Sequence, residues 1–253
     1  MRVTDAERAA GALAPARLAA LVAAFDERGL LLLENVVDPA AIAALGEQMK
    51  RDGEAIVEAG GWGSRGDFGH GHLQLGAPRA APWVLPEIVA NPIVEQCVCA
   101  ILRSPAKLGF YNGNCAMPSS GTQRLHMDGP HLFESAAEAA AAGEQWPHLS
   151  NDVHVNFPMV PVTAHNGATE VWPGSHRVYT HKPAGFTSSN VGSTAQAAST
   201  GSLQDGAFVE ARRRVAPPVR NEIPLGSVAF RDARIWVRTR ALHAARTARA
   251  SSS

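Results

Sequence analysis

His126 stands two residues before Asp128, at the end of a stretch, 123–128, that reads as a short strand. Residues two apart on a strand project from the same face, so an imidazole and a carboxylate converge there. A second histidine from a distant strand would complete a facial triad. Such a triad holds iron(II) through three protein donors and leaves three positions open for oxygen and a chelating co-substrate. The same tripeptide has a plainer reading, in which either side chain only hydrogen-bonds at a strand end.

The remaining polar residues are weighed the same way. His131, His148, His154 and His165 have no partner at strand spacing and read as solvated or internally satisfied, although His154 alternates with Asn156 on a strand face that would look into a barrel. Asn166-Gly167 and Pro173-Gly174 are turn dipeptides, and His176 just after the second reads as a turn-stabilising or surface residue.

Elements must bring these residues together. Leu18, Leu21, Val22 and Phe25 recur at three- and four-residue steps, which predicts an amphipathic helix over 15–28 closed by Gly29. Residues 30–37 form an apolar run suited to a buried strand. Asp38 then caps a helix with Pro39 at its first position and Ile42, Leu45, Met49 and Ile56 on one face. Residues 60–82 are glycine-rich and read as a long loop, either a lid or a disordered link. A helix is expected over 86–102, then strands over 108–117, 123–128, 152–160, 168–172 and 227–236, with a surface helix at 135–143 and a mobile loop at 188–202. Helices first and strands later predict an α+β domain, mainly β, whose sheets form a barrel or sandwich.

Composition bounds the partners. The 253 residues suit one domain, taken as 1–253. Lysine plus arginine and aspartate plus glutamate both number 23, so no net charge draws nucleic acid or an anionic membrane. Cys97, Cys99 and Cys115 lack zinc-type spacing and do not suggest a secreted disulfide framework. No secretion signal or apolar span is visible, so a cytoplasmic location is expected.

Two ordered motifs resemble the phytanoyl-CoA dioxygenase family. Residues 121–129, Gly-Thr-Gln-Arg-Leu-His-Met-Asp-Gly, look like its iron-binding strand. Residues 166–176, Asn-Gly-Ala-Thr-Glu-Val-Trp-Pro-Gly-Ser-His, are similar to its Asn-Gly-x-x-x-x-x-Pro-Gly-Ser-His segment. Residues 152–160 match the strand between them, and 226–232 resemble the strand leading to the second iron-binding histidine. The likeness runs in order over about 30–236. It implies a double-stranded β-helix (jelly-roll) barrel with flanking N-terminal helices, with iron(II) and 2-oxoglutarate at the barrel mouth and ascorbate as a possible reductant. His126 and Asp128 would be metal ligands and catalytic residues, with Gln123 and Asn156 as co-substrate-binding candidates. The implied chemistry is an oxygenase reaction on a small molecule, consuming molecular oxygen and turning 2-oxoglutarate into succinate. Hydroxylation is favoured over halogenation, because related halogenases have a small residue in place of the carboxylate.

The chain departs from that pattern at one place. The family commonly reads Trp-His-Arg where this sequence reads Trp236-Val237-Arg238, and valine cannot coordinate iron. The residues from 237 onward read as an atypical Arg/Ala/Ser tail without strand alternation. A shifted reading frame, a natural loss of the metal site, or a change of register that brings His243 to iron each account for it. In the third case Arg246 or Arg249 would pair with the 2-oxoglutarate carboxylate. The rival to the oxygenase is a catalytically impaired or silent barrel of the same family that binds a small ligand or a partner.

Overall fold

A capping box opens the chain: Glu7 N–H donates to Thr4 Oγ1, and the Glu7 carboxylate accepts from the Thr4 N–H, which starts helix α1 (Asp5–Ala10). The computed structural model describes residues 1–60, 71–76, 81–118, 120–178 and 206–240. Helix α2 (Pro15–Arg28) buries Leu21 and Phe25, one turn apart, and ends at Gly29, whose φ of 68° is the left-handed conformation glycine tolerates. The next strand, β1 (Leu30–Leu33), stops short of the expected 30–37. Asn35 takes φ 62° and breaks the ladder, and the amides of Val36 and Val37 turn instead to the Gly226 carbonyl.

Helix α3 (Pro39–Glu58) starts as the sequence predicts, with Asp38 accepting from the Ala40 N–H at 3.0 Å. Strand β2 (His72–Leu75) lies inside the expected loop and pairs antiparallel with β3 (Gly113–Ala116). Most of 60–82 and all of 188–202 fall outside the described residues. The single helix expected over 86–102 is two, α4 (Pro86–Val89) and α5 (Pro92–Leu102), because the Asn91 side chain caps the amides of Ile93 and Val94 and starts a new helix. Helix α6 (Ala136–Ala141) matches the predicted surface helix.

The remaining elements are β4 (Val153–Asn156), β5 (Glu170–Val171), α7 (Gly206–Val215), β6 (Val219–Arg220), β7 (Val228–Asp232) and β8 (Val237–Arg238). They form two three-stranded sheets, β1-β7-β4 and β6-β5-β8, beside the β2-β3 pair. Strand β7 is central: Val228, Ala229 and Phe230 are fully buried, and the main apolar cluster joins it to α2, β1, α3 and α5. Burying a side chain such as Phe230 is worth about 1.5–3 kcal/mol. Trp172 and Trp236 form a second cluster with Leu125 and Met127.

The expected barrel with flanking N-terminal helices is borne out in part. The sheets are antiparallel and the helices flank them, but no closed barrel is formed among the described residues, where more residues lie in helices than in strands. The strands are short, and the stretch 123–128 contributes an isolated bridge rather than a strand. No helix among the described residues is long and apolar enough to cross a membrane.

Candidate functional site

Backbone bonds fix His126 first. Its N–H donates to the Val237 carbonyl at 3.0 Å and its carbonyl accepts from the Val237 N–H at 2.8 Å, so the two residues form a closed antiparallel pair. Residues paired in this way carry their side chains on the same face of the ladder. Val237 therefore occupies the position beside His126, packed with Val171 and Ile235, and offers no donor atom. Its Val237–Arg238 strand pairs with β5, so this part of the tail is strand after all.

Asp128 is held from a different place. Its N–H and that of Gly129 both donate to the Ala233 carbonyl, in the turn that follows β7. The turn is braced by Asp232 and Arg234, each 1% exposed, whose carboxylate and guanidinium pair through Nε at 2.8 Å and NH2 at 2.6 Å. Arg234 also donates to the His148 carbonyl at 3.0 Å.

The side chains then meet. His126 Nε2 lies 3.4 Å from Asp128 Oδ1, while the second carboxylate oxygen, Oδ2, faces Arg231 NH2 at 2.7 Å and His154 Nδ1 at 3.2 Å. Arg231 and His154 are direct partners across the β7–β4 ladder, which places both on one face, and Arg231 Nε donates to Asn156 Oδ1 at 3.4 Å. Phe110, 54% exposed, stands edge-on to the His154 ring. Burial works against the Asp128 carboxylate, but the charge of Arg231 and the hydrogen bonds from His126 and His154 hold its pKa well below the usual range. Burial also opposes a charged His126, and the neighbouring Asp128 outweighs it and raises that pKa.

The donors fit part of a metal site. His126 Nδ1 donates to the Arg124 carbonyl at 2.8 Å, which leaves Nε2, on the Asp128 side, as the lone-pair nitrogen of the neutral ring. Nε2 and Oδ1 are thus an adjacent nitrogen and oxygen donor on one face, while Oδ2 is occupied by its partners. Among the described residues no set of three histidine, cysteine or carboxylate side chains gathers to hold a metal. His154 approaches Asp128 on the side turned away from His126. The structure thus sets one imidazole nitrogen and one carboxylate oxygen side by side, with the apolar Val237 paired to His126.

Of the other predicted residues, Asn156 joins the site through Arg231. Gln123 instead spends its amide oxygen on the Thr239 N–H at 3.0 Å, tying the segment of His126 to the chain beyond β8. His243, Arg246 and Arg249 lie outside the described residues. His176 is not at the surface: it is 3% exposed, donates from Nε2 to the Asp26 carbonyl at 3.0 Å and stacks against Gly29. His131 and His148 are buried as well, not solvated. Sequence reasoning missed Arg231. Its signal was an arginine directly after the apolar run of residues 228–230, on the same face as small Ala229. A cavity of about 560 Å³ borders His148, His176 and Arg234 but includes neither His126 nor Asp128, so it is separate from this site.

Comparison with known proteins gives one family. A model of the phytanoyl-CoA dioxygenase family matches residues 25–204. The multifunctional dioxygenase ausE of Penicillium brasilianum is 27% identical over 164 residues, covering 62% of this chain and 51% of that protein; the chain thus spans about half the length of this curated relative. Among solved structures, the epimerase SnoN in complex with Fe3+, alpha ketoglutarate and nogalamycin RO superposes with a TM-score of 0.58 at 17% identity, over 90% of this chain and 79% of that one. EctD from S. alaskensis, with 2-oxoglutarate and 5-hydroxyectoine, gives 0.57 at 16%, over 91% and 71%. AviO1 from Streptomyces viridochromogenes gives 0.55 at 18%, over 92% and 91%. At these identities the likeness to solved structures is one of fold.

Proposed function

Because the chain belongs to the phytanoyl-CoA dioxygenase family, we propose that its site is that of an iron(II) and 2-oxoglutarate dependent oxygenase acting on a small molecule, with His126 and Asp128 as metal ligands. The carrying observation is the His126–Asp128 pair itself, with Nε2 preset by the Arg124 carbonyl and Oδ1 beside it at 3.4 Å. Iron(II), when bound, would activate molecular oxygen, one atom of which would enter succinate as 2-oxoglutarate loses carbon dioxide while the other oxidises an unactivated carbon of the substrate.

The chain's own part is to present and orient. His126 offers one nitrogen because its other is spent on a backbone carbonyl. Asp128 offers one oxygen because Arg231 and His154 hold the other, and such outer contacts commonly matter about 10- to 100-fold in metal affinity or activity. The Asp232–Arg234 pair keeps the turn that anchors the Asp128 backbone from drifting. Phe110 beside His154 gives an apolar rim against which a carbon skeleton can rest.

A second reading, a silent or impaired barrel of the same family, is favoured by Val237. With two protein donors, the chelate advantage over solvent falls, and we expect 2-oxoglutarate turnover to be slow or absent. Anaerobic iron(II) titration tests the ligands: His126→Ala and Asp128→Ala should each bind clearly more weakly, and unchanged affinity in both removes the assignment. Succinate formation under air tests turnover. Robust succinate that is abolished by His243→Ala would make His243 the third ligand and dismiss the impaired reading.

A further inference from the structure

The cavity of about 560 Å³ beside His148 and Arg234 is lined by neither His126 nor Asp128. Small-molecule pockets commonly run to about 300–1,000 Å³, so its size admits a ligand. Stretches far apart in the sequence build it: the end of α2, Arg103 after α5, residues 145–150, residues 176–177, and Asp232 with Arg234 at the end of β7.

Charge decides what can enter. Three acids and three arginines face the cavity, and burial lowers the pKa of both its histidines, His148 and His176, so that these rings are neutral at neutral pH. The walls are therefore electrically balanced, which disfavours an occupant with a net charge. The charges are not equivalent, however. Asp232 and Arg234 are each 1% exposed and closed on one another, and Asp26 is paired with Arg103. Glu27 and Arg177 remain: both are exposed, and neither has an ion-pair partner among the described residues. The fold holds their two stretches together, because the Gly174 N–H donates to the Arg28 carbonyl and His176 Nε2 to the Asp26 carbonyl. One carboxylate and one guanidinium thus serve a single cavity without neutralising each other. Half-buried Trp146, Pro147 and Leu149 add aromatic and apolar surface to the same walls.

We propose that this cavity binds a small zwitterion with an apolar ring, an aromatic α-amino acid, with Glu27 meeting its ammonium and Arg177 its carboxylate. Such a ligand gains a charge-assisted contact at each end without breaking a pair the protein already has. Its ring leaves water against Trp146 and its neighbours. The site needs no iron and stands apart from the oxygenase reading.

The test is calorimetric titration of the metal-free chain with L-phenylalanine and three relatives. These are 3-phenylpropionate, which lacks the ammonium, phenethylamine, which lacks the carboxylate, and N-acetylphenylalaninamide, which lacks both charges. Each missing charge should weaken binding about 3- to 5-fold, the upper range for ion pairs that solvent reaches. Glu27→Gln should weaken phenylalanine by a similar factor and leave 3-phenylpropionate unchanged. Arg177→Gln should weaken phenylalanine and leave phenethylamine unchanged. Both positions are exposed, so both variants should fold, and the ligand series on the unaltered chain decides alone if one does not. His126→Ala should bind phenylalanine as the wild type does. The proposal is overturned if phenylalanine fails to bind at about 10 mM, if the uncharged amide binds as tightly, or if neither charge variant lowers the affinity twofold. Loss of phenylalanine binding in His126→Ala would overturn it too, by moving the ligand to the His126–Asp128 site.

Discussion

Val237 is a small apolar side chain paired directly with His126. It is 3% exposed and faces the same way as His126 across a closed backbone pair. Val237→His would bury an imidazole among Val171 and Ile235, and a buried polar group without a partner costs about 1–3 kcal/mol. The metal-free variant should therefore melt below the wild type. Saturating iron(II) should recover much of that loss, because a ligand that binds only the folded state stabilises it. Equal iron-induced shifts in variant and wild type would mean that position 237 does not point at the metal. Succinate production need not return with the metal, since the co-substrate must also be held.

At the scale of elements, the junction between α2 and β1 shows how a motif residue can serve the fold. Gly29 ends the helix in the left-handed region, and the His176 ring lies where a Cβ on Gly29 would be. The Gly174 N–H donates to the Arg28 carbonyl, and Ser175 Oγ accepts from the Trp236 N–H, so the turn at 173–176 pins the end of α2 to the residue just before β8. Gly29→Ala should cost about 1–2 kcal/mol for the backbone alone, with the collision added to it. In a His176→Ala background only the backbone share should remain, and identical losses of urea midpoint in both backgrounds would contradict the contact. Local signals made much of this architecture readable: Asp38 and Pro39 announced α3, the spacing of Leu21 and Phe25 announced α2, and His126-x-Asp128 announced an imidazole and a carboxylate that meet. What stayed hidden depends on register. Nothing in the sequence says that Arg231 pairs with His154, that His176 covers Gly29, or that β2, in a glycine-rich stretch, finds β3 some forty residues later. Helix α7 was missed because its apolar pattern is sparse and it follows a long run of Ser, Thr, Ala and Gly.

For the whole molecule, the buried histidines set the response to acid. Burial, with Arg234 adding to it, pushes His131 down to about 3, and burial likewise lowers His148 and His176. These rings stay neutral in the folded chain while the unfolded chain takes up protons below its ordinary value of 6.5, so stability falls as the pH drops from there. His126 acts in the opposite sense, since its raised pKa favours the folded state below 6.5, but it is one ring against three. Urea unfolding should lose about 1–3 kcal/mol between pH 6.5 and 5, before any carboxylate titrates fully. A flat profile over that interval would refute the burial of these rings. The pairing of Gln123 with Thr239 has a consequence in time. These residues are 116 positions apart, so the segment bearing His126 has no ladder to join until residues 237–239 have been made. High contact order of this kind slows folding, because the long loop must close before its contacts repay the entropy. Helices α1 to α5 can form before residues 237–239 are made, whereas the His126–Asp128 pair is positioned only afterwards.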